Sequence, residues 1–242
     1  MLTLDDPDRR NALTPGLVQE IVGVVDGIES DDGVGALVVT GAPPAFCSGA
    51  DVGALGAMSA GGQERESLPS IYEGFLRLHR CSLPTVAAVN GPAVGAGLNL
   101  ALVCDIRVAS PAARFDCRFA RIGLHPGGGH TRLLTEAVGP QAAAAMVLAG
   151  ESPDGERAAA IGLAWTCVDA ADLLDEATRI AGRAADLPRE LARRVKASLR
   201  ETRRQASLDD AVALELERQR WSLEQGFFAE QRAKAEARRR RS

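Results

Sequence analysis

Apolar runs alternate with amphipathic segments along the first two thirds of the chain, a pattern that predicts strands and helices in turn. Residues 35–40 and 85–89 carry no charge, which is typical of strands covered on both faces of a sheet. Leu17, Ile21 and Val25 recur with a helical period after the capping residue Thr14. Short strands are also expected at 2–4, 106–109, 114–116 and 165–168, helices at 71–79, 97–103, 130–137, 140–148 and from Ser152-Pro153, and a mobile loop at 56–69.

Only helical patterns follow residue 170, and they are expected at about 171–185, 188–204, 208–222 and 224–238. We therefore predict an α/β core over 1–188 and a helical C-terminal segment over 189–242. The core carries 13 basic and 23 acidic residues, whereas the segment carries 15 and 9. A basic segment can attract phosphate or nucleic acid, but a solvated, salt-bridged helical surface has the same composition.

Composition indicates a globular protein of ordinary type, with 46% hydrophobic and 25% charged residues in 242. Five cysteines without a C-x-x-C pair favour a reduced, cytoplasmic protein, and the three histidines form no ligand cluster for a metal. The acidic start of the chain is not a signal peptide. Residues 81–104 lack charge and could span a bilayer by length, but their prolines and glycines favour a strand, a turn and a buried helix.

Two glycine-rich loops, at residues 45–51 and 90–97, follow the two buried strands, and each ends where a helix is expected. Free N–H groups at helix starts attract negative charge, so two such loops brought together could form an oxyanion hole. Small residues such as Ser48, Gly49 and Ala96 would let a carbonyl approach the backbone. A plain tight turn explains the same glycines, and neither loop has the spacing of a phosphate-binding loop.

The order of motifs resembles the crotonase (enoyl-CoA hydratase/isomerase) superfamily along nearly the whole chain. The N-terminal PDRRNAL stretch is similar to the family's P-x-R-x-N-A-L, and residues 45–51 resemble its F-x-x-G-x-D loop. Residues 84–105 resemble the segment P-x-x-A-x-x-G…G-G-G-x-E-L-A-L-x-C-D. Residues 114–129 and 149–164 resemble the later F-x-x-P-E-x-x-x-G-x-x-P-G-x-G-G and G-x-x-x-x-A-x-x-A-x-x-x-G-L stretches.

The resemblance implies a crotonase (ClpP/crotonase-like) spiral of β-β-α units. It assigns the C-terminal helices to trimer contacts and part of the ligand pocket, in a homotrimer or a hexamer of two trimers. The implied ligand is an acyl-CoA thioester, with no cofactor beyond that coenzyme A, no nucleic-acid partner and no membrane span. By motif position, the oxyanion donors are the backbone N–H groups of Ser48 and Ala96. Further implied binding residues are Arg10 for the CoA nucleotide and Gly49, Ala50, Asp51 and Gly127 around the acyl group.

Both catalytic glutamates of the resembled family are replaced, by Asn99 and by Phe119. Neither side chain exchanges protons near neutral pH, so ordinary hydration should be weak. His125 and His130 flank a third glycine-rich turn, Gly127-Gly128-Gly129. His125 is the candidate base, ahead of His130. Asp51 and Asp116 are acids near the expected site for which a structural role is the simpler interpretation.

Three functions are compatible with these residues. The first is an enoyl-CoA hydratase, isomerase or related lyase of fatty-acid metabolism in which other residues carry out the proton transfers. The second is a non-catalytic acyl-CoA carrier or regulator, favoured by the loss of the glutamates. The third is a nucleic-acid binder using the basic C-terminus, against which the order of the motifs argues.

Overall fold

The computed structural model describes residues 1–50 and 67–239, and Asp51 therefore lies outside the described residues. The strands are β1 (Leu2–Leu4), β2 (Leu37–Gly41), β3 (Thr85–Val89), β4 (Pro92–Val94), β5 (Ile106–Ala109), β6 (Arg114–Asp116) and β7 (Thr166–Cys167). The helices are α1 (Pro15–Ser30), α2 (Ser67–Arg80), α3 (Ala96–Leu102), α4 (His130–Leu148), α5 (Gly155–Ala160), α6 (Leu173–Ala185), α7 (Arg189–Glu201), α8 (Leu208–Leu223) and α9 (Gly226–Arg239).

The main sheet has the order β1-β2-β3-β5-β7, and each neighbouring pair is parallel. Every residue of β2 and β3 is buried, as expected for uncharged strands at the centre of a parallel sheet. The short strands β4 and β6 form a second parallel pair. Strand β4 carries the chain from the end of β3 into helix α3, and its pairing with β6 fixes the position of the second glycine-rich loop.

Both faces of the main sheet are covered. Helix α6 covers one face with Leu173, Ala177 and Ala181, which recur every four residues and pack with strand residues such as Val86 and Val108. The larger core lies on the other face and includes buried residues of α1, α2 and α3. The candidate site lies at the edge of this larger core, where α3 begins.

Helix α7 is fixed to the core by buried polar contacts. Lys196 is only 5% exposed; its Nζ lies 2.6 Å from a carboxylate oxygen of Asp105 and donates to the carbonyl of Leu83 at 2.5 Å. At the start of the helix, Arg189 donates to the carbonyl of Glu29 in α1 at 2.9 Å. The predicted division at residue 188 therefore lies next to a contact that joins the C-terminal segment to the core. That residue 188 divides two domains stays a prediction.

The helices expected at 130–137 and 140–148 are confirmed as the two halves of α4, which are separated by the non-helical Gly139 with a φ of 76° and a ψ of 169°. Two other predicted elements need correction. The turn expected after β3 contains strand β4, because its backbone pairs with β6. Residues 67–69 belong to α2 rather than to a loop, and the rest of that predicted loop, 56–66, lies outside the described residues.

The uncharged stretch 81–104 divides among β3, β4 and α3. Across the described parts of the chain, no helix combines the length and the apolar character needed to cross a membrane.

Candidate active site

The two glycine-rich loops pack backbone against backbone. Cys47 pairs with Ala93 as a parallel bridge. A Cβ atom placed on Gly97 would lie 2.1 Å from the carbonyl oxygen of Cys47, and one on Gly49 would lie 2.4 Å from the carbonyl oxygen of Val94. Gly49 also has a φ of +89°, a conformation that side chains disfavour. The glycines are therefore needed for the two loops to meet.

This contact brings the backbone of the first loop to the start of α3. The Cβ position of Gly49 lies 3.3 Å from the nitrogen of Ala96, the first residue of that helix. The backbone hydrogen bonds of the described residues make no use of the Ala96 N–H, as expected for the first turn of a helix. The predicted donor Ala96 is thus placed where the loops converge.

The N–H of Ser48 is differently placed. It donates to the carbonyl of Arg10 at 3.0 Å, and the Ser48 hydroxyl donates to the carbonyl of Arg9 at 3.0 Å. These bonds hold the first loop to the N-terminal segment. The expectation that the Ser48 N–H is a free oxyanion donor is therefore wrong, because this N–H already donates to Arg10. The N–H of Ala50, two residues on, is used by none of the backbone hydrogen bonds described.

Arg10 contributes to the site through its backbone. The residue adopts a left-handed conformation with a φ of 53°, which aims its carbonyl at Ser48. Its side chain is exposed and does not line the cavity beside the loops. Binding of the CoA nucleotide by Arg10 stays a prediction.

A cavity of about 170 Å³ opens beside Ala96, and its walls are mostly apolar. None of the described residues that line it carries a carboxylate. The wall residues are Ser48, Gly49, Ala50, Ile71, Tyr72, Val94, Gly95, Ala96, Arg118, Phe119, Ile122, Leu124, His125 and Gly127. The cavity therefore joins the predicted binding residues Ser48, Gly49, Ala50, Ala96 and Gly127, and it suits an acyl chain next to a polarised carbonyl.

Asn99 is fully buried and its amide is used within the protein. Its Nδ2 donates to the carbonyl of Gly127 at 3.1 Å, and its Oδ1 lies 2.6 Å from Nδ1 of His130. Because the amide nitrogen is the donor to Gly127, Oδ1 is the acceptor and His130 carries its proton on Nδ1. Asn99 thus fixes the loop that forms one wall of the cavity.

His130 lies beside both Asn99 and Phe119. Its ring packs edge-on against Phe119 with 5.0 Å between ring centroids, and it is 1% exposed. Burial lowers the pKa of His130 from 6.5 to about 4, so the ring is neutral at pH 7. Its Nε2 has no hydrogen-bond partner among the described residues. The sequence favours His125 over His130 as the candidate base, because the contacts of His130 with Asn99 and Phe119 form only in the folded chain.

His125 lines the cavity but is exposed. Its Nδ1 lies 2.8 Å from the carbonyl oxygen of Pro126, which leaves Nε2 as the nitrogen available to a ligand. The structure therefore keeps His125 within reach of the cavity, and its chemical role stays a prediction.

Sequence reasoning missed two polar residues of the wall, Tyr72 and Arg118. Tyr72 is the sole tyrosine of the chain, and its hydroxyl fills the place that a Cβ on Gly127 would need. Arg118 is bound to the buried Asp116 at 2.6 Å. The helical period of α2 predicts which of its faces is buried, but only the fold shows that Tyr72 meets Gly127.

Cys47 lies within the first loop but is not a nucleophile. Burial raises the pKa of its thiol to about 12, and Sγ contacts the carbonyl of Asn11 at 3.0 Å. A thiol with so high a pKa carries almost no thiolate near pH 7. The site's chemistry therefore rests on backbone N–H groups and on the few polar side chains of the wall.

Comparison with known proteins identifies the family of the chain. The family model described as enoyl-CoA hydratase/isomerase matches residues 1–235. The chain belongs to this family, within the crotonase superfamily. A protein of Mycobacterium tuberculosis named as a probable enoyl-CoA hydratase is 46% identical over 243 residues, covering 98% of this chain and 94% of that protein.

Solved structures confirm the predicted crotonase fold. A probable enoyl-CoA hydratase/isomerase from Mycobacterium abscessus superposes with a TM-score of 0.87 at 32% identity, over 98% of this chain and 91% of that one. An enoyl-CoA hydratase from Polaromonas superposes with a TM-score of 0.91 at 27% identity, over 98% and 92% of the two chains. The α/β spiral with helices after the last strand is therefore the architecture of this protein.

Proposed function

We propose that the protein is an acyl-CoA enzyme, a hydratase, isomerase or related lyase that uses a backbone oxyanion hole without the family's glutamate pair. One observation carries the proposal. The N–H of Ala96, which no backbone hydrogen bond of the described residues uses, stands at the start of a buried helix and opens on an apolar cavity that the first glycine-rich loop also lines. A thioester oxygen placed there would receive hydrogen bonds as negative charge develops on it.

Ala50 is the second donor in this proposal, in place of Ser48. Its N–H lacks a backbone partner within the described parts of the chain, and the residue lines the cavity. Leu13 donates to the carbonyl of Gly49 at 2.8 Å and so holds the peptide unit that precedes the Ala50 nitrogen. Each such donor contributes roughly 3–4 kcal/mol to the stabilisation of a transition state in other enzymes.

Proton transfer has to come from side chains other than Asn99 and Phe119. Asn99 already bonds Gly127 and His130, and Phe119 has no polar atom. Among the described wall residues, His125 and Tyr72 have side chains that can serve as a general acid or base. We propose His125 as the base, because its imidazole lines the cavity and the contact of Nδ1 with the carbonyl of Pro126 leaves Nε2 to face a ligand.

The alternative function is a carrier or regulator that binds acyl-CoA without turning it over. The cavity wall favours it in one respect, since no carboxylate stands among the described wall residues. The assignment as an enzyme is favoured by the family match over residues 1–235.

One experiment separates the two functions. The protein is incubated with a panel of 2-enoyl-CoA and 3-enoyl-CoA thioesters, and both turnover and the shift in Tm are followed. Turnover that His125→Ala abolishes while the Tm shift persists supports the enzyme with His125 as base. A Tm shift without turnover supports the carrier, and the absence of both contradicts either function. Tyr72→Phe is the matched control, because it removes the hydroxyl of another wall residue and leaves His125 in place.

The assembly and the compartment are also part of this proposal. We infer a homotrimer, or a hexamer of two trimers, with the C-terminal helices in the contacts. The five cysteines are free thiols, which supports a reducing cytoplasmic compartment. The family match supports acyl-CoA rather than nucleic acid as the partner.

A further inference from the structure

Arg118 is a charged residue on the wall of a cavity that is otherwise mostly apolar. We propose that Arg118 binds a second negatively charged group on the ligand, so that the preferred ligand is the CoA thioester of a dicarboxylic acid. This inference rests on the proposed function, because it names the acyl class that the same cavity takes.

The guanidinium of Arg118 is held in place by Asp116. The carboxylate accepts from Nε at 3.0 Å, from Nη2 at 2.6 Å and from the Arg118 backbone N–H at 2.8 Å. The Asp116 side chain is only 9% exposed, and Arg118 has a φ of 47°, so the turn itself is built around the pair. Nη1 has no partner within the described residues, and a fixed guanidinium with a free nitrogen suits a carboxylate.

Asp116 does not balance all of the positive charge near this wall. Arg121 also approaches Asp116, at 3.7 Å, so two guanidinium groups share one carboxylate. None of the described wall residues offers a second carboxylate to balance them. An acyl chain ending in a methyl group would leave this charge unmatched, whereas a chain ending in a carboxylate would neutralise it.

The position of Arg118 favours the acyl chain over the CoA nucleotide as the source of the negative charge. Its neighbour Phe119 lies 3.7 Å from the Cβ position of Gly95, the residue before the oxyanion donor Ala96. Arg118 and Ala96 line one cavity of about 170 Å³. The phosphates of CoA are separated from the thioester by the whole pantetheine arm, so we assign a negative group inside the cavity that Arg118 and Ala96 share to the acyl chain.

Binding of matched saturated thioesters tests the proposal without turnover. The ligands are butyryl-CoA with glutaryl-CoA, and pentanoyl-CoA with adipyl-CoA, each pair differing by one terminal carboxylate. We expect the dicarboxylic member to bind about tenfold more tightly by calorimetry, as for one charge-assisted hydrogen bond at a half-exposed group. Arg118→Gln should remove this preference. Arg121→Gln should weaken the preference less than Arg118→Gln does, because Arg121 adds to the positive charge around Asp116 but does not itself line the cavity.

The outcomes are distinct. Equal binding of both members of each pair to the wild type overturns the proposal and leaves the acyl-CoA function intact. An equal loss of affinity for all four ligands in Arg118→Gln also overturns it, because the contact would then be with the CoA phosphates. Failure of every thioester to bind the wild type contradicts the proposed function itself. The double variant Asp116→Asn/Arg118→Gln, which leaves no buried carboxylate without a partner, repeats the test if the single variant does not fold.

Discussion

At the scale of single residues, Asn99 and Phe119 contact a buried neutral imidazole, that of His130. His130 donates from Nδ1 to Asn99 and packs its ring against Phe119. A glutamate at either position would place a carboxylate beside the imidazole and favour its charged form. Asn99 and Phe119 carry no charge, so they contact the buried ring without favouring its charged form.

This burial predicts a pH dependence of stability. The pKa of His130 is lowered by burial from 6.5 to about 4, so below pH 6.5 the unfolded chain binds a proton that the folded chain does not. The free energy of unfolding should therefore fall between pH 6.5 and pH 4, relative to His130→Gln, by up to about 3 kcal/mol. Urea unfolding of both proteins at several pH values from 7.5 to 4.5 measures the difference.

His125→Gln serves as the control, because His125 is exposed. Its stability should follow the wild-type curve over the same range. Parallel curves for the wild type and His130→Gln would show that His130 is protonated in the folded state, and the buried neutral ring would then be rejected.

At the scale of elements, the contact between the two glycine-rich loops is the feature most sensitive to side-chain size. A methyl group on Gly97 would meet the carbonyl oxygen of Cys47 at 2.1 Å, and the neighbouring backbone carbon at 2.7 Å. Since backbone atoms cannot rotate away, Gly97→Ala should lower the free energy of unfolding by about 1–3 kcal/mol. It should also weaken acyl-CoA binding. Urea unfolding and thioester titration measure the two effects.

Gly23→Ala is the matched control for this prediction. Gly23 lies inside α1, and a methyl group there meets nothing within 4 Å. The substitution should stabilise the helix by up to about 1 kcal/mol. If Gly97→Ala proved as stable as Gly23→Ala, the loops would not be in the close contact described.

The elements themselves follow from local sequence, whereas the site follows from contacts between distant segments. Strand β3 was predicted at its observed bounds because five uncharged residues suit a strand buried on both faces. The occupied N–H of Ser48 was not predicted, because its partner Arg10 lies in another segment and takes a left-handed conformation. The pairing of Asn99 with His130 joins residues 31 positions apart, and no local pattern marks it.

At the scale of the whole molecule, the chain leaves an apolar stripe exposed after its last strand. Helix α8 buries none of its residues within one chain. Leu208, Val212 and Leu216 recur every four residues on it and are 78%, 51% and 42% exposed. Helix α7, by contrast, is fixed to the core through Lys196 and Asp105. Stripes of this kind on a rigidly attached helical region are typical of contacts between subunits.

The proposed trimer or hexamer therefore predicts a mass of three or six times the 25.4 kDa of one chain, measured by light scattering after size exclusion. The double variant Val212→Glu/Leu216→Glu should shift the mass towards a single chain, because two carboxylates would be buried in the contact without partners. Val24→Glu is the control, since Val24 is an exposed apolar residue of α1 at 37% exposure, and it should leave the mass unchanged. A wild-type mass of 25.4 kDa, or a trimer that survives both charges on α8, would show that this stripe does not join subunits.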